Sequence, residues 1–226
     1  MNIGENIRQL VKITSAKNCT LVAISKNKST REILEAYQAG QRDFGENRVQ
    51  ELIIKYNDLP GDIRWHMVGH LQSNKVKAIA PFIGMIHSID SLKLLNEINK
   101  QATNAGRIIP CLLQVHIAAE ETKFGFSHDE LFNLLKLPGI PELKHVLIKG
   151  LMGMATLTDD KEKVRREFRN LKILFERIRE VTLPENISIE VLSMGMSGDY
   201  ELAIEEGSNM VRIGTAIFGE RNPIMD

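Results

Sequence analysis

Apolar and polar positions along this chain fall into two alternating rhythms. Runs rich in Val, Ile, Leu and Met recur at residues 21–26, 63–68, 85–89, 108–117, 147–152, 187–192 and 210–213, and a further short strand is expected at about 43–45, between two helical stretches. Near-continuous apolar runs of this length are expected of strands covered on both faces. Between them apolar residues return every three or four positions, as on one side of a helix. Ile3, Ile7, Leu10, Val11 and Thr14 mark such a helix ahead of the first strand. The longest runs over 160–181, with Phe168, Leu171, Leu174, Phe175 and Ile178 on one face. Ser29 or Thr30, Ser91, and Ser127 or His128 are placed to open helices. Gly40, Pro60-Gly61, Pro81, Gly106, Pro138-Gly139 and Gly207 are placed to end them.

Strands alternating with helices predict an α/β protein with a parallel sheet. Eight strands is the number that closes a TIM-like (β/α)8 barrel, here with an extra N-terminal helix. An open doubly wound sheet is the alternative. No G-x-G-x-x-G follows the first strand, which counts against dinucleotide binding. No linker, low-complexity segment or charge block interrupts the pattern, so residues 1–226 read as one domain.

Length and charge narrow the function. The chain has 226 residues, with 29 Lys plus Arg against 29 Asp plus Glu. A neutral chain lacks the basic excess of a nucleic-acid surface. Polar residues are interspersed throughout Met1 to Ala16, unlike a secretory signal, and no apolar run approaches a membrane span. Cys19 and Cys111 lie at apolar runs and read as core residues of a reducing compartment. The expected location is the cytoplasm, with no membrane partner.

Two stretches suggest chemistry. In Leu21-Val22-Ala23-Ile24-Ser25-Lys26, side chains alternate with period two, so Lys26 shares a face with Val22 and Ile24 at the carboxyl end of the strand. Ligands of parallel barrels bind at that end, and a partly desolvated lysine there suits Schiff-base chemistry. Taken alone, the stretch reads as a lysine that merely opens a solvated loop. The second stretch, Ser193-Met194-Gly195-Met196-Ser197-Gly198-Asp199, follows the seventh strand, and Arg212-Ile213-Gly214-Thr215 carries the eighth into its loop. Glycines and hydroxyls after the last two strands of a barrel are where phosphate is often held. Either loop alone reads as a turn, with Asp199 capping a helix. A mouth lysine beside a phosphate cup is the arrangement that pyridoxal 5'-phosphate (PLP) requires.

The motifs Val22-Ala23-Ile24-Ser25-Lys26, Phe44-Gly45-Glu46-Asn47 with Val49-Gln50-Glu51, Trp65 to Lys75, Glu121-Thr122-Lys123-Phe124-Gly125, Gly150-Leu151-Met152, Ser193 to Asp199 and Val211 to Gly219 resemble the YggS/PROSC family of PLP homeostasis proteins, over essentially the whole chain. The resemblance implies a PLP-binding barrel like the N-terminal domain of alanine racemase. It implies Lys26 as the Schiff-base lysine, Ser197, Gly198, Gly214 and Thr215 around the phosphate, Arg212 at the pyridine nitrogen, and Asn47 as a further lining residue. It also implies PLP-dependent apoenzymes as transient partners of a monomer. Two departures touch the rim: relatives often carry proline near Ala155 or Thr156, and Asn where His116 stands.

The remaining candidates read more plainly. Lys28 is expected to be more exposed than Lys26. His66 reads as a hydrogen-bonded core histidine and His70 as the better ligand contact. Trp65 and the pairs Met152/Met154 and Met194/Met196 read as packing. No histidine or cysteine spacing suggests a metal. The alternative to a cofactor-holding protein is a PLP-dependent amino-acid racemase, which needs acid-base groups on both faces of its substrate. In alanine racemase-like enzymes the opposing tyrosine comes from an added domain of the partner subunit. Tyr37, Tyr56 and Tyr200 here fall on expected helices.

Overall fold

The structure is a computed structural model that describes residues 2–118 and 124–220. Among these, eight parallel strands close a barrel in sequence order, β1 (Thr20–Ile24), β2 (Asp43–Glu46), β3 (Arg64–Met67), β4 (Met85–Ile89), β5 (Ile109–His116), β6 (Val146–Met154), β7 (Ile187–Ser193) and β8 (Met210–Ile213). The open-sheet alternative is thereby excluded. The helices are α1 (Ile3–Ser15), α2 (Thr30–Gln38), α3 (Val49–Asp58), α4 (Val76–Ile79), α5 (Leu92–Asn104), α6 (His128–Leu135), α7 (Lys161–Arg179), α8 (Tyr200–Glu205) and α9 (Thr215–Phe218). A 3-10 turn, Ser73–Lys75, leads into α4.

Local chemistry accounts for the helix starts. Ser29 caps α2 and Ser127 caps α6, each with a glutamate three residues on that bonds back to the serine N–H. Ser91 caps α5 and Asp160 caps α7. Helix α9 is a single turn, too short to cover β1 and β8. Helix α1 fills that place. It buries Ile3, Ile7 and Leu10, and Asn6 Nδ2 donates to Ile217 O of α9 at 2.9 Å. This is the physical reason for the extra N-terminal helix.

The apolar core lies between barrel and helices. Trp65 is 1 % exposed and packs against Phe44, and the expected face of α7 is buried throughout. Both cysteines are buried and free, and burial pushes the Cys19 thiol up to about 12. In α3 the apolar spacing of Val49, Leu52, Ile53 and Tyr56 predicts an inward Tyr56, but Tyr56 is exposed and stacks on Phe82, while Lys55 turns inward. Among the described residues no helix is long and apolar enough to cross a membrane.

The inside of the barrel is different, because polar side chains occupy it. Asp43 pairs in register with Arg64 and Val22 with Arg212. Burial alone would raise the Asp43 pKa, but hydrogen bonds from His66 and Arg64 and the Arg64 charge bring it from 3.8 to about 2. A carboxylate whose folded pKa is depressed stabilises the fold above its unfolded value and loses that contribution as pH falls through the folded one. Asp43→Asn is therefore expected to cost about 2 kcal/mol at pH 7 and only about 0.4 kcal/mol by pH 2. Urea unfolding of parent and variant across pH 2–7 checks this, and a pH-independent difference would contradict it.

Candidate functional site

Strand β1 ends at Ile24, earlier than its apolar run. Ser25 N still donates to Gly45 O at 3.0 Å, so the extended backbone continues one residue before turning. The turn is closed by Lys28 N donating to Ser25 O and by Asn27 at φ 59°. Lys26 thus lies on the turn just past the strand, half-buried, facing the same cavity as Ile24. The period-two reading places it correctly although the ladder has stopped.

That turn is fastened from beneath by groups that sequence reasoning missed. Ser25 Oγ donates to Glu46 Oε1 at 2.5 Å, Lys55 Nζ donates to Ser25 O at 2.8 Å and to Glu46 Oε1 at 2.7 Å, and Asn27 N donates to Glu51 Oε2 at 2.9 Å. Glu46 and Lys55 keep only 0 % and 7 % side-chain exposure, and burial raises the Glu46 pKa against the pull of Lys55. A buried pair of this kind adds little net stability, yet breaking it leaves an uncompensated charge. Its effect is to hold the residues on either side of Lys26. The available signal was a glutamate closing an apolar strand and a lysine one helical turn after Glu51.

The loops after β7 and β8 meet at Ser197. Its Oγ accepts from Gly214 N at 3.2 Å and Ala216 N at 3.3 Å, which leaves its own proton for another acceptor. Gly195 has φ 98°, and a Cβ there would lie 2.5 Å from Ala203 Cβ, so backbone conformation and packing both require glycine. Gly198 is different: a Cβ would meet no protein atom within 4 Å, so packing does not demand glycine. What the missing side chain leaves open is the cavity that Gly198 lines. Asp199 does not cap α8 as expected. Its Oδ1 accepts from Met196 N at 2.5 Å and tightens the loop itself.

These pieces enclose one cavity of about 260 Å³ at the carboxyl ends of the strands, near the lower end for small-molecule sites. Lys26, Asn47, Ser197, Gly198, Arg212, Gly214 and Thr215, all anticipated from sequence, line it. Asn47 reaches it because Gly69 lets the loops after β2 and β3 approach closely; a Cβ at Gly69 would stand 2.5 Å from Asn47 O. Arg212 is 4 % exposed, and its Nη1 and Nη2 donate to Ser193 Oγ at 2.6 Å and Gly153 O at 3.0 Å. Burial lowers its pKa to about 10, still charged at neutral pH.

Lys28 lines the same cavity and, like Lys26, is half-buried. Its side chain is 12 % exposed, bonds Phe218 O at 3.0 Å and pairs with Glu32 at 3.4 Å. His70 lies outside the lining, paired with Asp90 at 3.0 Å and set beside Phe124. His66 is a buried, bonded core residue as expected. Met152 and Met194 are core, whereas Met154 and Met196 line the cavity. Residues Glu121, Thr122 and Lys123 of the quoted motif lie outside the described residues.

Among the described lining residues the ionisable groups are Lys26, Lys28 and Arg212, all basic side chains. With the Ser197 proton and the open face at Gly198, this donor set fits a small molecule bearing a phosphate and a further hydrogen-bond acceptor. Among the described residues no cluster of His, Cys, Asp or Glu could hold a metal ion.

Comparison with known proteins points the same way. The family profile described as "Alanine racemase, N-terminal domain" matches residues 1–222. The pyridoxal phosphate homeostasis protein of Haemophilus influenzae is 42 % identical over 205 residues, which cover 89 % of this chain and 85 % of that one. Among solved structures, PipY of Synechococcus elongatus PCC7942 without PLP superposes with a TM-score of 0.88 at 36 % identity, covering 96 % of this chain and 100 % of that one. The same protein with PLP bound gives a TM-score of 0.84 at 35 % identity, with the same coverage.

Proposed function

This chain belongs to the alanine racemase N-terminal domain family, and within it to the pyridoxal phosphate homeostasis proteins; on that premise we propose that it holds PLP at the mouth of its barrel as part of intracellular PLP homeostasis, with no dedicated reaction of its own. The observation that carries this reading is the convergence of Lys26 and the two glycine-hydroxyl loops on one cavity with basic side chains in its lining.

When bound, PLP supplies an aldehyde that condenses with a neutral amine, and a phosphate anion. Lys26 would hold the aldehyde end. Ser197 would donate its free proton to the phosphate, with Gly198, Gly214 and Thr215 around it. Arg212 would meet the ring nitrogen. A fixed guanidinium disfavours a proton on that nitrogen, which keeps the ring a poor electron sink. That favours retention over turnover. So does the placement of the tyrosines: Tyr37 bonds Asp62, Tyr56 stacks on Phe82, Tyr200 bonds Glu201, and none lines the cavity. The same reading makes the chain a cytoplasmic monomer that passes PLP to apoenzymes in transient encounters.

Titration with PLP tests this directly. The purified protein is expected to gain a visible absorption band, to bind pyridoxal far more weakly than PLP, and to form no D-product from L-amino acids. No band would refute the cofactor assignment. Rapid racemisation would establish the enzyme alternative.

A further inference from the structure

Below the cavity, a chain of hydrogen bonds crosses the barrel interior from Arg212 to the opposite mouth. Arg212 Nη1 donates to Ser193 Oγ at 2.6 Å. Ser193 Oγ lies 3.2 Å from His87 Nδ1, His87 Nε2 lies 2.9 Å from His66 Nδ1, and His66 Nε2 lies 3.1 Å from Asp43 Oδ1. Arg64 closes the far end, with Nε and Nη2 on the two Asp43 oxygens at 2.7 and 2.5 Å. His66, His87, Ser193 and Arg212 are all buried, His87 completely. The proposed function uses only the last of them.

The ends of the chain dictate its direction. A guanidinium only donates and a carboxylate only accepts. Asp43 therefore takes a proton from His66 Nε2. A neutral His66 then offers the lone pair of Nδ1 to His87 Nε2–H. His87 in turn offers Nδ1 to the Ser193 hydroxyl proton, and the Ser193 oxygen accepts from Arg212. Every donor meets an acceptor, with both imidazoles neutral. The reverse arrangement, with His66 protonated on both nitrogens and His87 carrying its proton on Nδ1, gives the Ser193 oxygen two donors and strands its hydroxyl proton. A stranded buried proton is costly.

We propose that Asp43, His66, His87 and Ser193 form a one-directional positioning relay for Arg212, with both histidines neutral and carrying their protons on Nε2. The relay presents a serine lone pair to Nη1 while Gly153 O takes Nη2, so the guanidinium is fixed in orientation at the floor of the cavity. The charged groups around the chain are Asp43 and Arg64 at one end and Arg212, with Asp199 acting on it, at the other. Burial first, with the Arg212 charge beside it, holds His87 well below its ordinary value, in agreement with a neutral ring. The inference rests on the PLP reading only for what Arg212 meets in the cavity.

Two measurements test it. In PLP-free protein with 15N-labelled histidine, long-range proton–nitrogen correlation at pH 7 is expected to show His66 and His87 neutral with protonated Nε2. A doubly protonated His66, or a His87 proton on Nδ1, overturns the relay. This arm needs no variant and no cofactor, so it stands even if PLP fails to bind, an outcome that would strike the proposed function instead. The second arm is a double-mutant cycle on PLP affinity. His87→Leu is expected to weaken binding about tenfold, within the range of couplings through one hydrogen-bond network. His87→Gln, which can still accept from Ser193 and donate to His66, is expected to recover most of that loss. In an Arg212→Met background His87→Leu is expected to change nothing further. Equal losses in both backgrounds would make His87 a packing residue and end the proposal.

Discussion

Lys26→Ala is expected to abolish all borohydride-fixable attachment of PLP, while leaving a weaker, phosphate-dependent association. The lysine sits at the turn after β1, in the cavity lined also by Ser197, Gly214 and Thr215. The bonds of Ser25 to Glu46 and Lys55, and of Asn27 to Glu51, fix that turn on both sides of Lys26. An amine held in this way beside an anchored aldehyde reacts at an effective concentration far above that of free lysine, which is how positioning accelerates a bimolecular step. Removing the amine removes that step completely, whereas the cup is untouched. Lys28→Ala is the control. Its ammonium is already engaged by Phe218 O and Glu32, so the covalent link should survive its loss. Borohydride treatment of the parent followed by peptide mapping should label a peptide through Lys26. Labelling at Lys28 instead would shift the site along the turn and sink this assignment.

What could be read in advance follows from how far period and parity extend. Strand β4 has the span its apolar run predicts, because Gly84 precedes it and Asp90-Ser91 ends it. Parity carried Lys26 to the cavity even past the end of the ladder, since Ser25 remains extended and bonded to Gly45 O. The single-turn α9 left no trace, because four residues are too few for a helical period to show. Lys55 was hidden for another reason. Periodicity assigns the inner face of α3 by apolar residues, so a buried lysine is counted as solvent-facing while exposed Tyr56 is counted as core. The relay shows the same blindness. Asp43, His66, His87, Ser193 and Arg212 each sit singly in a different strand, and each alone reads as one satisfied polar residue. Only closure of the barrel brings β2, β3, β4, β7 and β8 to a common interior, and no local pattern encodes that distance.

The phosphate cup provides the second large effect, because Ser197 does two things at once. Its oxygen joins the loops after β7 and β8 by accepting from Gly214 N and Ala216 N, and its proton remains for the ligand. Ser197→Ala deletes a donor to a charged oxygen, and such hydrogen bonds contribute about 1.5–3 kcal/mol. It also unties Gly214 from the β7 loop, so the cup must be ordered at the moment of binding. Together these predict a loss of PLP affinity of about tenfold to a hundredfold. The stability of the barrel should change little, since Ser197 is only half-buried and the two backbone donors can turn to water. Pyridoxal separates the two roles. Lacking the phosphate, it cannot use the Ser197 proton, so its weak binding should be nearly the same in parent and variant. Titration of both proteins with both ligands reads this as a loss confined to PLP. An equal loss for pyridoxal would mean that Ser197 acts only by shaping the loop, and unchanged PLP binding would remove it from the site.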